Sequence, residues 1–277
     1  MEAVIQYVFR SFFDALGQLM DVFGWTFLLA GALWLTSQGL RGIGAKWLGM
    51  GYFWLVAPGV ACHETGHALG CLLTGAKVLK FVPFRPSQDG TLGWVEHTTS
   101  PTWWGRAREF VIATGPVWFG GLAMLGLTWL LTGEGPSETF GTAAGGADYF
   151  ASVRDGALAM AGRAFSPQAW HGPLGWLGIL LVYLLVCVAS EVTLSGSDFQ
   201  GMVVGLVAIV WGVLVANFVP VADALLAGAV EWLRGPLYYL HSMLAFALAV
   251  SAGLFGVALL ADWALSAALR GKERGGD

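Results

Sequence analysis

The chain has 277 residues, 56% of them hydrophobic and only 12% charged, against roughly 25% charged in soluble domains. With a mean hydropathy of +0.67 and a formal net charge of −4, it is not a soluble enzyme or a disordered chain, and it offers no basic face for a nucleic acid. The composition is that of an integral membrane protein embedded in a lipid bilayer. Forty glycines suit close helix packing in lipid, and fourteen tryptophans suit belts at its interfaces. The three cysteines include no CxxC pair and read as small buried hydrophobes.

In chain order, residues 1–21 place Val4, Ile5, Val8, Phe9, Phe12, Phe13 and Leu16 at helical spacing. This predicts an amphipathic interfacial helix or the first turns of a long span. It does not read as a cleavable signal, because the apolar stretch from Phe23 comes too late and runs too long. A membrane domain is expected over 22–266, with spans of roughly 20 residues near 22–40, 48–74, 108–132, 173–194, 199–220 and 237–266. The second is interrupted by Pro58-Gly59. The segment 133–172 is Gly-, Ala- and Ser-rich and reads as a loop, with 148–165 a surface helix inside it. A polar tail follows over 267–277. The expected fold class is thus all-α and polytopic, with about six transmembrane helices. Lys and Arg are in modest excess on one side if both termini are cytoplasmic, which favours that orientation. In this arrangement Arg41 falls in an outer segment, and Glu109 reads as an interfacial charge.

Residues 78–97 differ from their surroundings. Val-Leu-Lys-Phe-Val and Leu-Gly-Trp-Val-Glu-His flank a Pro-Ser-Gln-Asp-Gly stretch. That pattern predicts a small β-hairpin at the inner surface.

The chemistry is concentrated in His63-Glu64-Thr65-Gly66-His67, an HExxH motif. On a helix, i and i+4 share a face, so both imidazoles can reach one Zn²⁺ and the glutamate can serve as general base. Three ionisable residues inside one apolar span are costly, which argues that they face a polar cavity and serve a function.

PGVACHETGHALGCLLTGAKV resembles the first block of the site-2 protease group of intramembrane zinc metalloproteases. ATGPVWFGG at 113–121 is similar to the Gly-Pro block of that family's core helix. SEVTLSGSDFQG at 190–201 is similar to a Leu-Ser-x-x-Asp-x-x-Gly block in relatives. The resemblance covers about 60–201 within a protease-like core of 48–220. It implies His63, His67 and Asp198 as zinc ligands and Glu64 as the catalytic base. Family members with a Leu-Asp-Gly third-ligand motif differ from this chain, which has none. Asp223, Glu191 and His97 therefore stay open as alternative ligands. Depth favours Asp198, expected where the fourth span, running inward, meets the fifth, running outward. His97, Gly115 and Pro116 are candidate substrate-binding residues.

These expectations amount to a zinc-dependent intramembrane endopeptidase acting on a transmembrane protein substrate, in a prokaryotic cell membrane. An alternative is a non-catalytic zinc-binding subunit with a membrane-protein partner. Metal transport would need further ligands along a path, and the other spans offer almost none.

Overall fold

An apolar chain with no water beside it must satisfy its backbone internally, and helices do so within one segment. The computed structural model describes residues 2–87, 90–140, 148–167, 169, 175–216 and 222–274. Helices α1 (Glu2–Leu48) and α2 (Met50–Thr74) lead into strands β1 (Val78–Val82) and β2 (Trp94–His97). Next come α3 (Trp103–Thr132), the short α4 (Pro136–Phe140), α5 (Tyr149–Ala164), α6 (Trp176–Glu191), α7 (Gly196–Ala216) and α8 (Ala222–Arg274). Among the described residues, Trp103–Thr132, Gly196–Val215 and Glu231–Arg270 are long and apolar enough to cross a membrane, and Trp176–Glu191 is apolar but shorter.

Several expected boundaries move. No break separates residues 2–21 from the expected first span, and α1 is one helix of 47 residues, about 70 Å at 1.5 Å per residue. Helix α2 runs through Pro58 without interruption. In that turn, where proline removes a backbone donor, the Tyr183 hydroxyl donates to Leu55 O at 2.7 Å. The C-terminal helix continues to Arg274, so most of the expected tail is helical. Helix α5 packs one face on the core and exposes the other, with Phe150, Arg154, Asp155 and Leu158 outward. Val153, Gly156, Ala157, Met160 and Ala164 repeat every three or four residues and are buried, with Met160 in the main core beside Met124, Leu185 and Phe246.

Helix directions follow from which residues meet. Gly66 lies on Gly115 and Pro116, and Gly70 on Ile112, so α2 and α3 are antiparallel. Gly59 meets Cys187, and His63 meets Glu191, so α6 runs parallel to α2. Along α3 the partners descend as the chain advances: Gly120 meets Val188 and Val192, Ala113 meets Gly201, Phe110 meets Gly205, and Trp103 meets Gly212. Helices α6 and α7 therefore follow one another in the same direction, as two halves of one interrupted pass. This corrects the expectation that they are antiparallel neighbours. Three described helices are long and apolar enough to cross a membrane, against about six expected spans.

The same logic applies to the ends of the chain. Thr26 bonds His241, Gly39 meets Phe255, and Lys46 pairs with Asp262, so α1 and α8 are parallel. The start of α1 and the end of α8 therefore lie at opposite ends of the helix bundle.

After α2, Gly75 adopts a left-handed φ of 72° and turns the chain into β1. The strands pair antiparallel, with Val82 opposite Trp94, Phe81 opposite Val95 and Lys80 opposite Glu96. The hairpin is expected from the sequence, but its connection is longer than an Asp-Gly turn. Arg85 N donates to Leu92 O, and Ser87 N to Thr91 O. Gln88 and Asp89 lie outside the described residues. Leu92 is buried with Val56 and Val60 of α2, which anchors the hairpin over the HExxH helix.

Candidate metal centre

Four helices build the site. Gly66 and Gly70, spaced as GxxxG, let the α2 backbone touch α3, since a Cβ on Gly66 would lie 2.6 Å from Pro116 Cα. That approach brings Ile112 O within 2.8 Å of His67 Nδ1. On the opposite flank a Cβ on Gly59 would lie 2.1 Å from Cys187 O. This brings the end of α6 beside His63, whose Nδ1 is 3.1 Å from Glu191 O.

The break after α6 supplies that carbonyl. Val192 (φ −75°, ψ 59°) is the centre of an inverse γ-turn, in which Thr193 N donates to Glu191 O at 2.8 Å. The carbonyls freed at this helix end find donors on other helices. Ser251 of α8 donates to Ala189 O, Ser37 of α1 to Ser190 O, and His63 of α2 to Glu191 O. A helix end deep in a bundle requires such partners.

Helix α7 then starts on a capping box. Ser195 Oγ accepts from Asp198 N at 3.2 Å, and Asp198 Oδ2 accepts from Ser195 N at 2.7 Å. This reciprocal pair is the physical content of Ser-x-x-Asp in Leu-Ser-Gly-Ser-Asp. It aims the Asp198 carboxylate from the α7 N-terminus, where the helix dipole favours an anion. Asp198 Oδ1 lies 3.1 Å from His67 Nε2, and Oδ2 lies 3.4 Å from His63 Nε2.

No protein-family profile, curated protein or solved structure matches the chain.

His63, His67 and Asp198 each offer a ligand atom, all within 4.8 Å of one another, so this group could hold a metal ion. Proton accounting tests the fit. Each Nδ1 faces a carbonyl and must carry a proton to donate to it. Neutral imidazoles then leave both Nε2 atoms as bare acceptors, 3.2 Å apart and beside a carboxylate. Three acceptors converging on one point repel unless a proton on one Nε2 or a metal cation lies among them, and Nδ1–H donation to carbonyls is the usual outer support of metal-binding histidines.

These residues line a cavity of about 430 Å³ with Glu64, Arg41, Gln38, Glu109, Glu191 and the inner strand of the hairpin. Glu64 is 8% exposed. Among the described residues no hydrogen bond or ion pair engages its carboxylate. Gly93 packs directly on it, since a Cβ there would lie 2.7 Å from Glu64 Cγ and 2.9 Å from Pro83 O and Val82 O.

The other sequence candidates fall as follows. His97 lines the cavity, but its Nε2 is held by Glu109 Oε2 at 3.1 Å, away from the triad. Glu109 is thus a cavity residue rather than a simple interfacial charge. Glu191 contributes its carbonyl to His63, while its carboxylate pairs with Arg41. The Asp223 side chain lies outside the described residues. Gly115 and Pro116 do not line the cavity; they form the backbone contact with Gly66. Sequence reasoning missed Arg41, Glu109 and Gly93. For Arg41 a signal existed, because an acid at 191 within an apolar helix needs a cationic partner.

Proposed function

We propose that the protein is a zinc-dependent endopeptidase of the site-2 protease kind, cleaving a transmembrane protein substrate within the bilayer. The observation that carries this reading is the convergence of the HExxH pair with Asp198, 131 residues further along the chain than His67, beside a glutamate free to move a proton. His63, His67 and Asp198 would hold the zinc. Such a donor set, two imidazoles and one carboxylate, is that of catalytic sites that keep a position open. When bound, zinc supplies an acidified water and polarisation of the scissile carbonyl.

The protein's own groups do the rest. Glu64 accepts the proton of the attacking water and returns it to the leaving amide nitrogen. The cavity admits the water and excludes lipid. A transmembrane helix shields its own peptide bonds, so the substrate must unwind locally before attack. The hairpin above Glu64 offers strand edges to the unwound segment. Leu92 and Gly93 set the height at which that segment passes over the base.

The test is Glu64→Gln in the full-length protein, reconstituted with a transmembrane substrate. Cleavage is expected to fall by about 10²–10⁴-fold with zinc content unchanged. A variant that cleaves at the wild-type rate overturns the mechanism. Zinc retained by an inactive wild type, in a stable complex with another membrane protein, supports the non-catalytic subunit instead.

A further inference from the structure

Helix α1 contributes none of the metal-binding group, yet it grips the point where the site is assembled. Ser37 and Arg41 are one turn apart on one face of α1. Ser37 Oγ donates to Ser190 O at 2.7 Å. The Arg41 guanidinium pairs with the Glu191 carboxylate, whose side chain is 1% exposed. Ser190 and Glu191 are the last two residues of α6, immediately before the break. The Glu191 carbonyl holds His63 Nδ1, and the capping box that aims Asp198 begins four residues later at Ser195.

A buried carboxylate in an apolar helix is a costly way to fasten a helix end. Without Arg41 it would be an uncompensated charge in the bundle, and the chain would rearrange to relieve it. Rearrangement at residue 191 moves the carbonyl that sets the His63 ring and shifts the start of α7. Two of the three ligands depend on that one turn. The third, His67, is held separately by Ile112 O on α3.

We propose that Ser37 and Arg41 are positioning residues for the metal centre, acting from α1 through Ser190 and Glu191. The long N-terminal helix is thereby part of the site and more than an anchor. This rests on the metal-binding reading above.

The test uses full-length protein in lipid nanodiscs, with zinc affinity measured by competition against a chromophoric chelator. The absorption spectrum of the Co²⁺-substituted protein reports ligand geometry independently of activity. Arg41→Met is expected to weaken zinc binding about 10–100-fold and to alter the cobalt spectrum. Arg41→Lys, which restores the charge, recovers most of both. Ser37→Ala is expected to weaken binding about fivefold, the size of one hydrogen bond's net contribution. If Arg41→Met fails to fold, Ser37→Ala decides alone. The proposal is overturned if the folded variants bind zinc as the wild type does and keep its cobalt spectrum. Wild-type protein that takes up no metal overturns the metal-binding reading itself, so the two failures are distinguishable.

Discussion

Glu64 shows how finely a single side chain is constrained. It is nearly buried, its carboxylate is unengaged, and its stem lies under Gly93. A methyl group at 93 has nowhere to go, because two of its three closest neighbours are the backbone oxygens of Pro83 and Val82. Gly93→Ala must therefore lift the hairpin or push Glu64 aside. Misplacing a catalytic group by about 1 Å costs on the order of 10²-fold in rate. On the proposed function, turnover of a reconstituted substrate should fall by that order, while zinc affinity, which the proposal assigns to His63, His67 and Asp198, stays within about twofold. A loss of zinc in this variant would show that the hairpin supports the ligands and not the base.

At the scale of elements, two contacts decide whether the ligands converge. One is the backbone approach of α2 to α3. Gly66→Ala would set its Cβ 2.6 Å from Pro116 Cα, an overpacking expected to cost about 1–3 kcal/mol and to pull His67 from Ile112 O. Thermal unfolding of the purified protein would register the first effect and chelator competition the second. The other is the capping box of α7. Ser195→Ala removes the acceptor for Asp198 N, at a cost of about 1 kcal/mol, and frees the Asp198 carboxylate to rotate. Zinc affinity should fall while the helix content measured by circular dichroism remains unchanged. Unchanged zinc affinity would mean that Asp198 is aimed by something other than its cap.

At the scale of the whole molecule, the same-direction run of α6 and α7 sets both where Asp198 meets the histidine pair along α2 and the direction of the last helix. Two same-direction halves count as one pass, so α8 runs with α1. Reporters fused at residues 1 and 277 should read out on opposite sides of the membrane. Finding both on the same side would contradict the parallel pairing of Thr26 with His241 and Lys46 with Asp262. The interruption also explains how an aspartate at a helix start can meet a histidine pair in mid-helix. A full-length span in place of α6 would deliver Asp198 to the bundle end instead.

Much of this was legible in residue order. The low charge density points to a membrane chain, and the apolar segments form helices, three of them long and apolar enough to cross a bilayer. The HExxH face follows from i, i+4 spacing, because helical geometry is local. The Ser-x-x-Asp start of α7 is equally local, since a capping box closes within four residues, but in the sequence it stands out only through the family-like block around it. What the sequence could not reveal is direction. Hydropathy is a scalar, so an apolar run, a Val-Thr-Leu-Ser-Gly interruption and a second apolar run read alike as a hairpin of spans or as one broken pass. Nor do local rules pair Arg41 with Glu191, or set Gly93 on Glu64, since those partners are brought together only by packing. Residue order determined the chemistry available to this protein. The tertiary structure decided its assembly, because the convergence of two histidines and an aspartate depends on backbone contacts between helices distant in sequence.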